Sequence, residues 1–142
     1  MSYTHELSWA AGFFDGEGFI TIQERNHPNY IGYYLRIGIN HVAPEPIMEM
    51  HRIFGGTITK QNPEKVVGNR KVRYRWQMGT SAAALALKKM MPYFKNKNKV
   101  AALALDFQET IKNEYKRVGV PSNIQEKRQW FKAEITKLNS LD

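Results

Sequence analysis

The fold of this chain is decided by the segment Leu7-Ser8-Trp9-Ala10-Ala11-Gly12-Phe13-Phe14-Asp15-Gly16-Glu17-Gly18-Phe19-Ile20, which begins with the pattern of a helix and ends with that of a strand. Ser8, Gly12 and Gly16 recur every four residues, so on a helix they form one stripe without bulky side chains. Each glycine costs the interior of a helix about 1 kcal/mol relative to alanine. The stripe therefore predicts a helix that a second backbone approaches closely.

An acidic group stands at the end of the predicted helix. Asp15-Gly16-Glu17-Gly18 follows the stripe, and negative charge is unfavourable at the C-terminal end of a helix. A cation or the N–H groups of a partner would offset this charge. An isolated sequence of this kind is usually a helix cap with a solvated glutamate, but the stripe, the acidic end and the alternating strand that follows favour a functional site.

The residues from Ala10 to Gly18 resemble the nine-residue motif of the LAGLIDADG homing endonucleases. Gly12, Asp15 and Gly18 match that motif directly. The resemblance extends over most of the chain, because the order of predicted elements also agrees with the core fold of that family.

The remaining motif positions agree in residue class. Phe13 and Phe14 stand for the large apolar pair, and Gly16 stands for the small residue. Glu17 replaces the more usual second aspartate, a variant that the family also uses. Ala10 departs from the leucine of the family by a conservative loss of bulk.

Composition limits the class of protein. The 142 residues are 42% hydrophobic and 12% aromatic, which is typical of one globular domain with a hydrophobic core. The absence of cysteine excludes disulfides and thiolate metal sites. The sequence shows neither a signal-peptide pattern nor an apolar run of membrane-spanning length. We therefore expect an intracellular protein, cytoplasmic or organellar and not secreted, that does not interact with membranes.

The charge balance indicates a polyanionic partner. Lysine and arginine number 21 against 13 aspartate and glutamate residues, which gives a net charge of +8. Nucleic acid is the first candidate and an anionic membrane surface the second. Charge alone is weak evidence, since many basic proteins bind nothing specific.

Alternation and helical spacing predict an α+β protein. Helix is expected at about 5–15, 44–54, 82–91 and 100–116, and strand at about 19–25, 32–42, 57–61 and 72–78. A polar loop is expected at 62–69. A capping box of Ser122 and Gln125 predicts a last helix that ends near residue 139. The whole chain, 1–142, is thus one domain with an αββαββα core at about 4–116 and a C-terminal helical extension at about 117–142.

The resemblance implies that the four strands form an antiparallel, saddle-shaped sheet that straddles double-stranded DNA. One face of each strand is apolar, and the other carries arginine and amide side chains that match the hydrogen-bonding groups of base edges. An ordinary solvated sheet face would be richer in Glu and Lys. We therefore expect DNA contacts from the polar strand faces and from His41, which lies where the family places a polar contact: Thr21, Gln23, Arg25, Tyr34, Arg36, Asn40, His41, Thr59, Gln61, Arg73, Arg75 and Gln77.

The acidic end of the motif predicts a metal site. Hydrolysis of a phosphodiester needs neutralised phosphate charge and an activated water, and Mg²⁺ bound by oxygen ligands supplies both. Glu17 is the candidate catalytic carboxylate and metal ligand, with the carbonyl of Gly16 as a second ligand. Mn²⁺ is expected to substitute for Mg²⁺. A lone carboxylate makes a poor Mg²⁺ site, so a second copy of the chain is expected to supply another.

The resemblance implies a symmetric homodimer that packs two copies of the motif together. Ser8, Gly12, Asp15 and Gly16 are the expected interface residues, and Asp15 would cap the helix of the partner or link the two motifs. A two-fold dimer favours a long, near-palindromic target. In the family, cleavage leaves short 3′ overhangs.

A basic residue is expected to assist the acid. The sequence Pro92-Tyr93-Phe94-Lys95-Asn96-Lys97 resembles the segment of the family that carries its catalytic lysine, and by that match Lys97 takes this role. Spacing alone does not separate Lys97 from Lys95 and Lys99.

Three functions remain in competition at this point. The first is a site-specific DNA endonuclease of the mobile intron- or intein-associated kind. The second is a binding protein of the same fold that has lost cleavage, such as an intron RNA maturase or a DNA-binding regulator. The third, a basic domain that binds RNA without recognising sequence, explains the charge but not the stripe. Glu17 and Lys97 favour the first.

Overall fold

The computed structural model describes residues 3–61, 72–111, 115 and 119–141. These ranges contain five helices and four strands: α1 (Tyr3–Glu17), β1 (Gly18–Asn26), β2 (Ile31–His41), α2 (Pro44–Phe54), β3 (Thr57–Gln61), β4 (Arg73–Gly79), α3 (Thr80–Met90), α4 (Asn98–Glu109) and α5 (Ser122–Asn139), with a 3₁₀ turn at Met91–Tyr93 before α4. The predicted α+β class and αββαββα order are confirmed. The predicted loop at 62–69 lies outside the described residues, and the boundary near 117 stays a prediction.

The four strands form one antiparallel sheet in the order β1-β2-β4-β3. Thr21 of β1 lies opposite Arg36 of β2, and Arg36 lies opposite Gly79 of β4. Thr59 of β3 lies opposite Arg75 of β4. Because side chains alternate between the two faces of a strand, this register fixes which residues share a face.

The helices cover one face of the sheet and form the core with it. Trp76 of β4 is fully buried, and its indole Nε1 donates a hydrogen bond to the carbonyl of Gly55 at 2.8 Å. The ring of Phe14 in α1 meets that of Trp76 edge to face. Burial of this surface removes apolar side chains of every strand except β3 from water, among them Ile20, Ile22, Leu35, Ile37, Ile39 and Met78.

Helix α1 passes directly into β1 without a loop. A β-carbon on Gly18 would lie 2.5 Å from the Phe14 ring and 2.6 Å from the Phe14 carbonyl oxygen. Only glycine allows so close an approach. The turn from helix to strand therefore holds the end of α1, with Glu17 as its last residue, at the edge of the sheet.

Helix α5 protects the outer edge of β1. The side-chain amide of Asn139 donates to the carbonyl of Ile20 on β1 at 2.9 Å, and that of Gln125 donates at the same distance to the carbonyl of Ile31, the first residue of β2. Ile135 of α5 is buried between these two contacts. The helix thus covers a strand edge that would otherwise offer unpaired groups to another chain.

The structure differs from the sequence prediction in detail at the start of two helices. Helix α5 has Pro121 at its N-cap and no side-chain cap, because the amide of Gln125 turns to β2 instead of back to Ser122. Helix α3 begins at Thr80, earlier than expected, and Thr80 has a φ of 55°. A threonine in this left-handed region is strained, because its β-branch crowds the backbone.

Candidate nucleic-acid interface and active site

The face of the sheet opposite the helices, called the open face below, gathers the predicted DNA contacts of all four strands. The register brings together Phe19, Thr21, Gln23, Arg25, Gly32, Tyr34, Arg36, Gly38, Asn40, Thr57, Thr59, Gln61, Arg73, Arg75, Gln77 and Gly79. Apart from His41, every residue that the sequence predicts to contact DNA belongs to this set. Their contact with DNA itself stays a prediction.

The described charged residues of the open face are all positive. It holds Arg25, Arg36, Arg73 and Arg75, and none of its described residues is a carboxylate. Glu24 of β1 turns to the other side, where Lys132 of α5 lies 3.3 Å from it. A surface with arginine and amide groups but no acid is suited to a polyanion.

Neighbouring side chains hold two of these arginines in place. The Nε of Arg75 donates to Asn40 Oδ1 at 2.7 Å, and its guanidinium lies 5.9 Å from the centre of the Phe19 ring. Arg25 lies 5.4 Å from the centre of the Tyr34 ring. Both guanidinium groups are therefore oriented before any ligand arrives, which lowers the entropy lost on binding.

The centre of the open face holds Arg36. It lies between Thr21 and Gly79 in the register, so one neighbour has no side chain. Its Nε is buried and has no hydrogen-bond partner among the described residues. The Nε of Arg36 therefore differs from that of Arg75, which donates a hydrogen bond to Asn40.

His41 does not lie on the open face, and its contact with DNA stays a prediction. Its ring meets that of Phe13 edge to face at 5.5 Å on the helix side, and its Nδ1 accepts a hydrogen bond from the Ala43 N–H at 3.0 Å. Alternation with Asn40 assigns His41 to the helix side of β2. The same alternation adds Phe19, which sequence reasoning missed, to the open face.

The end of α1 exposes the predicted acid. Gly16 and Glu17 are exposed, whereas the preceding Asp15 has only 9% of its surface accessible. The Asp15 carboxylate accepts hydrogen bonds from the backbone N–H groups of Lys95, Asn96 and Lys97 at 2.7, 3.0 and 2.8 Å. These hydrogen-bond partners belong to its own chain and lie just before α4. Its contribution to a dimer interface stays a prediction.

Lys97 is the lysine that reaches the end of α1. Its Nζ donates to the carbonyl of Asp15 at 3.1 Å, whereas the side chains of Lys95 and Lys99 are exposed. Lys97 and Lys99 both line a cavity of about 480 Å³ together with Gly18 and Phe19, so it is the contact of Nζ with α1 that separates the two lysines. The ammonium thus offsets the negative end of the α1 dipole between the acid and the open face.

The predicted stripe on α1 is open to solvent. Ser8, Gly12 and Gly16 are exposed, and a β-carbon on either glycine would meet nothing within 4 Å. Trp9 is 42% exposed, and its ring centre lies 5.4 Å from that of Phe13. The described part of the chain therefore leaves this side of α1 uncovered.

The chain offers part of a metal site. No three His, Asp or Glu residues cluster in a metal-binding arrangement within the described ranges. Glu17 and the carbonyl of Gly16 are oxygen donors at one exposed helix end, and oxygen is what Mg²⁺ prefers. These donors fit the ion but leave most of its ligand shell to other molecules.

Among the described helices, none has the length and apolarity needed to cross a membrane.

No protein-family model and no curated protein matches the sequence, but solved structures match the fold. The homing endonuclease I-CvuI, in complex with its target, shares 17% identity with a TM-score of 0.79 over 96% of this chain and 83% of its own. The archaeal intron-encoded homing endonuclease I-Vdi141I, complexed with DNA, shares 13% identity with a TM-score of 0.76 over 94% of this chain and 84% of its own. The LAGLIDADG homing endonuclease I-GzeII, in complex with a DNA target, shares 12% identity with a TM-score of 0.69 over 89% of this chain and 43% of its own. The chain therefore has the fold of the LAGLIDADG homing endonucleases.

Proposed function

We propose that this chain is a site-specific double-stranded DNA endonuclease that acts as a homodimer with Mg²⁺, or with Mn²⁺ in its place. One observation carries the proposal: an exposed carboxylate, Glu17, ends the helix that Lys97 contacts, beside an open face with arginines and no described acid. A protein that only bound RNA through charge would have no use for this combination.

The open face supports binding in the major groove. Antiparallel strands enter that groove in several DNA-binding folds, and arginine and amide side chains match its donor and acceptor pattern. I-CvuI, I-Vdi141I and I-GzeII were each solved with DNA. We infer that the strand residues on the open face read base edges, while the lysines around it neutralise phosphates.

The uncovered stripe supports a homodimer. Ser8, Gly12 and Gly16 leave one side of α1 without bulk, and Trp9 adds exposed apolar surface next to it. Two such stripes would let the helices cross closely, which would bring two copies of Glu17 together. The chain covers 83% of I-CvuI but 43% of I-GzeII, so a longer neighbour has room for two units of this size.

The chemistry follows from the groups at the end of α1. Glu17 and the Gly16 carbonyl would hold the metal ion, which when bound neutralises phosphate charge and activates water. The Lys97 ammonium stabilises the negative charge that develops on the phosphate and leaving oxygen. The arginines of the open face fix the register of the duplex. Each strand is cut to leave a short 3′ overhang at a near-palindromic site, which fits a mobile element that acts inside the cell.

A cleavage selection tests this function. The protein is incubated with a randomised double-stranded DNA library and Mg²⁺, and the cut ends are captured and sequenced. We expect one near-palindromic site with 3′ overhangs and no cleavage after chelation. If the protein selects a site but cuts none in Mg²⁺ or Mn²⁺, it is a cleavage-inactive binding protein of this fold, such as an intron RNA maturase or a DNA-binding regulator.

A further inference from the structure

The carboxylate of Asp15 collects three consecutive backbone N–H groups. Lys95 donates to Oδ2, Lys97 donates to Oδ1, and Asn96 lies within 3.1 Å of both oxygens. Hydrogen bonds to an ionised acceptor are about twice as strong as neutral ones. Because the side chain is largely buried, water competes little for these oxygens.

This contact joins two parts of the chain that are about 80 residues apart. Asp15 belongs to the last turn of α1, and the three amides precede α4, whose N-cap is Lys97. Asp15 therefore fixes the backbone that leads into α4, and does not accept from the first-turn N–H groups of the helix itself. The stacked rings of Phe14 and Phe94 pack next to this junction with their centres 5.8 Å apart.

We propose that Asp15 is a positioning residue for Lys97. By fixing the backbone of Lys95, Asn96 and Lys97, it places the Lys97 ammonium on the carbonyl at the end of α1 that leads to Glu17. The acid and the lysine are then assembled inside one protomer before a partner or DNA binds. The catalytic meaning of this arrangement rests on the proposed function, but the arrangement itself is testable without DNA.

Losing a simple helix cap and losing a positioning residue have different effects on the neighbouring side chains. Loss of a cap lowers stability by about 1 kcal/mol and affects all side chains near the helix start alike. Loss of a positioning contact frees one side chain in particular. The reactivity of Lys97 relative to that of Lys99, two residues away and exposed, separates the two roles.

The first test is competitive acetylation of the lysines in the full chain, read by peptide mass spectrometry. The variant is Asp15→Asn, which keeps the shape and removes the charge, and Asp106→Asn on α4 is the matched control. We expect Asp15→Asn to raise the acetylation rate of Lys97 by about two- to tenfold, the equivalent of one lost hydrogen bond, and to leave Lys99 unchanged. An unchanged Lys97, or an equal rise at Lys99, overturns the proposal.

A measurement on the unaltered protein covers the case in which Asp15→Asn does not fold. The amides of Lys95, Asn96 and Lys97 should resist hydrogen exchange as strongly as those within α4, because each has a buried acceptor. Exchange at the rate of an open loop at these three positions overturns the proposal.

The second test connects the contact to cleavage through a double-mutant cycle. Asp15→Asn should lower the single-turnover cleavage rate by about 10- to 100-fold, the effect of a misplaced group. In a Lys97→Ala background it should lower the rate no further, because its effect passes through Lys97. The same loss in both backgrounds would make Asp15 merely structural. If the unaltered protein cuts no DNA, the proposed function fails, and acetylation still decides the role of Asp15.

Discussion

The ring of Phe19 lies across Gly38 on the neighbouring strand. A β-carbon on Gly38 would come within 2.7 Å of the ring and 2.5 Å of the Trp76 carbonyl oxygen. The glycine therefore leaves room for an aromatic ring on the open face, and that ring in turn lies beside the guanidinium of Arg75. The shape of the open face next to Glu17 depends on this pair.

Replacing Gly38 by alanine should destabilise the protein by about 1–3 kcal/mol, the usual cost of overpacking. Phe19 can rotate away, but the Trp76 carbonyl belongs to a central strand and cannot. Urea denaturation measures the change. Gly79→Ala is the matched control, because its β-carbon would meet the Leu35 carbonyl oxygen at 3.3 Å and needs only a small adjustment. Equal effects of the two substitutions would contradict the argument.

Alternation made the open face predictable from sequence. A period of two residues assigns Thr21 and Arg36 to the face opposite Ile20 and Ile37 wherever a strand is regular. The same rule assigns Phe19 to the open face, and His41 to the helix side with the buried strand residues.

Contacts between distant segments were not predictable in the same way. The charge of Asp15 called for a cation or for N–H donors, and the structure supplies both from residues 95–97. Sequence alone could not tell a partner chain from a segment about 80 residues away, since neither leaves a local pattern. The amide of Gln125, which likewise bonds to a distant strand, made a capping box appear where none forms.

Thr80 offers a stabilising substitution. Its φ of 55° costs a β-branched residue about 1–2 kcal/mol, and asparagine tolerates this region. Thr80→Asn should therefore raise the free energy of unfolding by about 1 kcal/mol, seen as a higher urea midpoint with an unchanged slope. Ser81→Asn, at the next exposed position of α3, controls for the side chain itself and should change stability by less than about 0.5 kcal/mol. A loss of stability in Thr80→Asn would argue against strain.

Glu17→Gln should abolish cleavage and leave DNA binding largely intact. The substitution removes the charged metal ligand but keeps the size of an exposed side chain, so the fold has no reason to change. Cleavage is measured with Mg²⁺ on the selected site, and binding with Ca²⁺ in place of Mg²⁺. Glu109→Gln, exposed on α4, should affect neither. Loss of binding together with cleavage would show that Glu17 is structural.

Arg36→Ala should weaken binding to the selected site and relax the preference at one base pair in each half-site. Arg36 lies at the centre of the open face, and a bidentate arginine–guanine contact contributes about 1–3 kcal/mol of discrimination. Binding of single-base variants of the site measures this loss. Lys60→Ala is the control of equal charge, because Lys60 lies on the opposite side of β3. If both variants lose affinity equally for all sites, Arg36 contacts phosphate and not a base.

Gly12→Leu should separate folding from assembly. In a single chain the new side chain meets open space, since nothing lies within 4 Å of the β-carbon, and leucine favours a helix over glycine by close to 1 kcal/mol. Between two crossed helices it would force the backbones apart, which we expect to weaken dimerisation by about 5- to 150-fold. Sedimentation equilibrium measures the dimer and circular dichroism the helix content. Ala82→Leu, exposed on α3, should leave both unchanged. A dimer that tolerates Gly12→Leu must use another face, and the two copies of Glu17 would then not meet across α1.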